Sequence, residues 1–255
     1  MMFRDILGQH DVKQQLLEMV ANNRLSHALI FLGKEGTGSL SLAMAFAEYV
    51  SLLPRNNESG LFGEQVEIKL PTTTEEADAW MQKQPSFSKC EQFVHPDIHY
   101  SYPVITKKAG TQTVSTDYIT EWRDFIKTQS YGNVYDWLQF IGAENKQGNI
   151  SAHECNDIIR KLSLKSFESG YKILVMWMPE YLGKEGNKLL KLIEEPPPDT
   201  LFILVAESEN EILSTILSRC QLVRVPLIDN SAIEEKLISS KTCTRDQAKL
   251  IANAS

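Results

Sequence analysis

With 255 residues, 42% of them hydrophobic and 23% charged, the chain has room for one large α/β domain and a smaller piece, and its composition is that of an ordinary globular protein. A formal net charge of −7 argues against a surface that wraps nucleic acid unaided, because neutralising phosphates takes clustered Lys and Arg. The four cysteines, Cys90, Cys155, Cys220 and Cys243, lie far apart without C-x-x-C spacing, which fits reduced thiols in the cytoplasm better than zinc or disulfides. Asp5 and Gln9 interrupt the N-terminus before any signal-like apolar stretch, and no apolar run approaches the ~18 residues of a membrane helix.

In chain order, Val12, Leu16, Leu17, Met19 and Val20 repeat at helical period and predict a helix over 11–22. Residues 28–32 read as a buried strand that enters a glycine loop, and a helix over 39–53 follows it. Residues 54–92 are polar, broken by Pro54, Pro71 and Pro85, and read as an irregular excursion with one short helix at 75–81. Ile98, Tyr100 and Tyr102 alternate and predict a strand over 97–104, then a mobile loop over 106–113. Helices over 115–128 and 151–164 each open on a serine suited to capping, Ser115 and Ser151. The strongest buried strand is 171–178, and a second covers 201–206. Between them a short helix, 187–194, is stopped by Pro196-Pro197-Pro198. A helix over 211–218 and a short strand over 222–225 complete an α/β pattern, a parallel sheet covered by helices on both faces. After Pro226 the chain turns helical, which divides it into a sheet domain, 1–226, and a small helical piece, 227–255.

The glycine loop reads Gly33-Lys34-Glu35-Gly36-Thr37-Gly38-Ser39-Leu40, against the phosphate-binding pattern G-x-x-x-x-G-K-[ST]. Gly33 and Gly38 hold the two glycine positions. Ser39 stands where a lysine would reach the β- and γ-phosphates, and Leu40 where a hydroxyl would hold Mg²⁺. Gly33, Gly36 and Gly38 are the candidate phosphate-cradling residues of a degenerate loop, 33–40, that keeps its turn and loses its chemistry.

Several segments in order carry a resemblance. They are Phe3-Arg4-Asp5-Ile6-Leu7-Gly8-Gln9, Ser26-His27-Ala28, His95-Pro96-Asp97, the run Asn187-Lys188-Leu189-Leu190-Lys191-Leu192-Ile193-Glu194-Glu195-Pro196-Pro197, and Leu213-Ser214-Thr215-Ile216-Leu217-Ser218-Arg219-Cys220-Gln221. Over nearly its whole length the chain resembles the AAA+ subunits of the bacterial DNA polymerase III clamp loader. The resemblance implies a RecA-like AAA+ sheet domain followed by a helical lid and a collar. Too few residues follow Pro226 for a full lid and collar, so the lid is read as partial and the collar as absent. Where an active member carries the Asp and Glu of its Walker B motif, this chain has Trp177 and Met178, with Glu180 two positions too late. Loss of both motifs implies δ′ rather than γ/τ. Family members commonly hold zinc in the excursion after the loop helix, but 54–92 contains only Cys90, so no zinc is expected.

What the resemblance leaves as a functional centre is Ser218-Arg219-Cys220, whose arginine would reach the ATP of a neighbouring γ/τ-type ATPase as a finger in trans. Thr215, Ser218 and Asn187 would shape the surface that presents it. No ATP, Mg²⁺ or metal is expected in this chain, and no ATPase or polymerase activity of its own, although the implied holoenzyme is a DNA-directed DNA polymerase, a nucleotidyltransferase. The implied partners are the γ/τ and δ subunits and, through them, the sliding clamp and primed DNA. The alternatives are an active γ/τ-type ATPase with unorthodox motifs and a stand-alone AAA+-derived adaptor. His27, His95, Trp177 and Met178 read as structural, Glu194 and Glu195 as carboxylates that do not converge, and Lys107 and Lys108 as solvated.

Overall fold

Five apolar segments pair into one parallel sheet: β1 (Ala28–Leu32), β2 (Ile98–Ser101), β3 (Lys172–Trp177), β4 (Thr200–Ala206) and β5 (Gln221–Arg224), in the spatial order β2-β3-β4-β1-β5. The structure is a computed structural model that describes residues 1–54, 70–107, 112–240 and 243–254. Around the sheet lie α1 (His10–Ala21), α2 (Ser39–Ser51), α3 (Thr74–Met81), α4 (Phe87–Glu91), α5 (Ile119–Thr128), α6 (Val134–Phe140), α7 (Ala152–Ser163), α8 (Leu190–Glu194) and α9 (Ser214–Leu217), and α10 (Asn230–Ser239) and α11 (Arg245–Ala254) pack on each other beyond it.

The sheet is covered on both faces, and its strands show why. Along β3, Ile173, Val175 and Trp177 join one apolar cluster with α1, α2, α3, α5 and α6, while Leu174 and Met176 join a second with α7, α8 and α9. A strand buried on both sides needs apolar residues at every position, so β3 and β4 are buried throughout rather than alternating. The α/β class and the covered parallel sheet are therefore as expected. Among the described residues no helix is long and apolar enough to cross a membrane.

Several elements differ from the sequence reading. The strand expected over 97–104 ends at Ser101, and Val104 pairs instead with Asn149 in an isolated antiparallel bridge. Ser115 caps no helix: its hydroxyl donates to the Tyr102 carbonyl at 3.1 Å and accepts the Tyr102 N–H at 3.0 Å, and a 3₁₀ turn, Ser115–Tyr118, precedes α5. Ser151 does cap α7, its Oγ accepting the Glu154 N–H at 3.3 Å. The helix expected over 187–194 is a 3₁₀ run, Pro179–Leu189, broken at Gly183 (φ 49°), and then α8. The helix expected over 211–218 shrinks to α9 behind a 3₁₀ turn, Glu209–Glu211. Among its described residues the excursion holds two helices, α3 and α4, where one was expected; residues 55–69 lie outside the described residues, as do 108–111 of the expected loop. Lys107 is not merely solvated: its ammonium donates to the Asp117 carbonyl at 2.5 Å and lies 4.1 Å from the centre of the Tyr118 ring.

Burial also has a pH consequence. His99 on β2 is pulled from 6.5 down to about 4, chiefly by burial and next by the Lys161 ammonium. The unfolded chain therefore takes up a proton that the folded chain refuses, and this group's share of the stability is lost as pH falls from 6.5 towards 4. His99→Gln is expected to remove that share of the slope, on the order of 3 kcal/mol at its full extent. Urea denaturation of both proteins between pH 4.5 and 7 checks it, since parallel pH profiles would rule the effect out.

Candidate functional site: two edges of the sheet

The glycine loop lies at the carboxyl edge of the sheet, directly after β1. Its turn is intact. The Gly33 N–H donates to the Ala206 carbonyl at 3.1 Å, and Thr37 donates twice to the Lys34 carbonyl, from N at 3.2 Å and Oγ1 at 2.7 Å. A Cβ at Gly33 would sit 2.6 Å from Thr37 Oγ1, and Gly38 takes φ 75° just before α2, so both positions require glycine. The Gln9 amide ties the loop to the exit of the sheet, donating to Thr37 O at 3.0 Å and Pro226 O at 2.7 Å.

The loop encloses little space. The segment 130–133 lies across it as a strap. Ser41 Oγ donates to the Ser130 carbonyl at 2.5 Å, and the Asn133 amide donates to the Glu35 carboxylate at 2.5 Å. The Tyr131 ring lies so close over Gly38 that a Cβ there would come within 2.8 Å of it, and its hydroxyl accepts the Leu7 N–H at 2.7 Å. The cavity left between loop and strap is about 20 Å³. A single water needs roughly 10–15 Å³.

Ser39 and Leu40 are buried at the start of α2, and Trp177 lines the same cavity. Burial, and then the Glu180 and Glu35 carboxylates, hold Glu207 at the same cavity above the usual carboxylate range. Glu180 itself is a clamp: its Oε1 accepts the N–H of Glu207 at 2.7 Å and of Ser208 at 3.0 Å, just beyond β4. Met178, at φ 58°, turns the chain out of β3 in the left-handed region. Among the described residues no three His, Cys, Asp or Glu side chains gather as metal ligands would.

The second site is at the opposite edge. β5 runs parallel to β1 with Gln221 beside Leu29 and Arg224 beside Leu32, so Ser218-Arg219-Cys220 precedes β5 at the amino edge. The strand alone separates it from the glycine loop by about 10 Å.

Arg219 is presented there and held at once. Its side chain is 34% exposed. Nε donates to Glu194 Oε1 at 2.6 Å, one terminal nitrogen donates to the Thr215 carbonyl at 2.7 Å and to Ser218 Oγ at 3.2 Å, and the other pairs with Glu194. Cys220 packs against the second apolar cluster, and burial pushes its thiol up to about 12, which makes it an anchor rather than a nucleophile. An open concavity of about 530 Å³ is lined by Arg219, Ser218, Glu194, Ile193 and His27. His27 Nε2 lies 3.0 Å from the Ile193 carbonyl, an acceptor only, so that nitrogen carries the proton.

Thr215 and Ser218 both accept from the Arg219 guanidinium, whereas the Asn187 amide turns to the Lys184 carbonyl at 3.0 Å. Glu194 and Glu195 do not converge on each other, but Glu194 converges on Arg219, a pairing across 25 residues.

A family model described as DNA polymerase III, delta subunit matches residues 68–229, the stretch that runs from α3 through β5 and contains Glu194 and Arg219. The chain belongs to that family. Its relatives include the DNA polymerase III subunit delta′ of Bacillus subtilis, 25% identical over 247 residues, covering 96% of this chain and 55% of that one. The Haemophilus influenzae protein of the same name is 33% identical over 107 residues, 42% of this chain and 32% of that one. The DNA polymerase III subunit tau of Bacillus subtilis is 23% identical over 232 residues, 91% of this chain and 30% of that one. A solved structure of a gamma subunit-related protein from Thermotoga maritima shares 14% identity at a TM-score of 0.46, covering 94% of this chain and 58% of that one. The chain spans about half the length of the first of these relatives and about a third of the next two. The δ′-type resemblance read from the sequence is the family to which the chain belongs.

Proposed function

We propose that this chain is a non-hydrolysing δ′-type subunit of a bacterial sliding-clamp loader, which works in the cytoplasm and lends Arg219 to the ATP held by a neighbouring γ/τ-type subunit. The observation that carries the reading is the division of the sheet into two edges. At one, a glycine loop with its turn preserved is filled by the chain's own Tyr131. At the other, a guanidinium stands at an open surface concavity, where a second protein can reach it. A planar fork of N–H donors matches phosphate oxygens and stabilises charge that develops during phosphoryl transfer. The loader would also hold a δ subunit and act on the clamp and primed DNA.

Two experiments test the two halves. In a loader reconstituted with its other subunits, Arg219→Ala is expected to depress ATP turnover while leaving assembly intact, and turnover at the wild-type rate would end the finger assignment. Calorimetric titration of the chain with ATP and Mg²⁺ is expected to give no saturable heat. Ser39→Lys alone is expected to stay silent as well, because the Tyr131 strap still fills the cavity, whereas Ser39→Lys with Leu40→Thr and Tyr131→Ala opens it. Saturable binding by the unmodified chain would instead favour an active γ/τ-type subunit.

A further inference from the structure

We propose that Glu194 is a positioning residue that holds Arg219 back until a neighbour's triphosphate displaces it, an inference that rests on the finger reading above. A guanidinium has five N–H donors. In the chain by itself four are engaged within the chain: Nε–H and one N–H of a terminal nitrogen with Glu194, and the two of the other terminal nitrogen with the Thr215 carbonyl and Ser218 Oγ. A phosphate that requires a two-pronged grip finds one prong free. The Thr215 and Ser218 contacts fix where the head of the side chain sits, since both acceptors belong to α9 and the residue after it. Glu194 occupies two of the other three donors and is the one partner that carries a charge.

The exchange is between like ligands. Glu194 is the last residue of α8, and its carboxylate, 43% exposed, lies beside the open concavity rather than beneath it, so it can swing to solvent without opening the core. The pair is short and two-pronged but half in water, and such pairs are weak enough for a polyanion to replace. The cost of breaking the pair is met when the neighbour's nucleotide binds, before any bond to phosphorus breaks. It therefore enters the apparent affinity for ATP and leaves the chemical step alone.

Glu194→Gln tests this directly. The amide oxygen still accepts the Nε–H, so the surface keeps its shape and loses only the charge. In the reconstituted loader this variant is expected to lower KM for ATP by about two- to fivefold at the Arg219-dependent site, with kcat unchanged, the size of effect that removing one exposed pair permits. An unchanged or raised KM, in a loader whose Arg219→Ala form has lost turnover, would overturn the parking role while leaving the finger in place. Arg219→Ala at the wild-type rate would overturn both. A second measurement needs no partner. In the isolated chain the Arg219 Nε–H, followed by nitrogen–proton NMR, is expected to exchange slowly and to quicken in Glu194→Ala. Exchange as fast as a free arginine's in the unmodified chain would show that the pair does not persist in solution.

Discussion

Arg219→Lys is expected to cost the reconstituted loader nearly as much ATP turnover as Arg219→Ala, on the order of 10³-fold or more. The two side chains carry the same charge, so a purely electrostatic contribution would survive the exchange. The larger loss comes from geometry. The guanidinium at 219 is held by acceptors on two sides, the Thr215 carbonyl and Ser218 hydroxyl on one and Glu194 on the other. An ammonium has three donors on a flexible stem and no planar fork, so it cannot keep its intramolecular contacts while offering two aligned donors to phosphate. Single-turnover hydrolysis by loaders assembled with each variant, all other subunits unchanged, checks the expectation. A lysine variant at the wild-type rate would reduce Arg219 to a surface charge.

The second large effect concerns stability at the same edge. Asp97 is buried, 3% exposed, immediately ahead of β2. Its carboxylate accepts three backbone N–H groups from the loop that leads into β3: Phe167 at 2.5 Å, Glu168 at 2.8 Å and Ser169 at 2.7 Å. Charged acceptors make strong hydrogen bonds, and removing this one takes an acceptor from three backbone donors at once. Asp97→Ala is expected to cost about 3–5 kcal/mol and to lower the melting temperature by on the order of 10 °C. Asp97→Asn keeps one acceptor oxygen, and it should fall between the two. Scanning calorimetry of the three proteins decides, and a drop of a degree or two in the alanine variant would mean that water replaces the carboxylate at little cost. His95-Pro96-Asp97 is thus a turn whose acid organises the neighbouring loop.

The elements that the sequence made legible are those whose evidence is local. The apolar runs of β1, β3 and β4 sit within a residue or two of their expected bounds, because a strand buried on both faces must be apolar at each position. α6 escaped notice. It is seven residues long, too short to show a period, although Asn133 caps it by accepting the Asp136 N–H at 2.8 Å and Asp136 answers by accepting the Asn133 N–H at 3.1 Å. That reciprocal pair, an Asn three residues before an Asp, was the signal available. Ser115 misled because a serine before a helical pattern is a cap only if its hydroxyl has nothing better to bond, and here Tyr102 offers both a donor and an acceptor.

The chain by its sequence determined the covered parallel sheet, the glycine turn, the loss of the lysine beside it and the presence of an arginine ahead of the last strand. Each of these is written in residues that are neighbours along the backbone, where period, turn chemistry and motif spacing act. The tertiary structure alone decided what those residues meet. Ser130 reaches the glycine loop's helix across 89 residues, Asn133 reaches Glu35 across 98, and Glu194 reaches Arg219 across 25. Such pairings depend on which strands the sheet brings together, and no local pattern encodes them. A missing lysine can be read letter by letter, whereas the tyrosine that fills the space above the loop is found only once the chain has closed on itself.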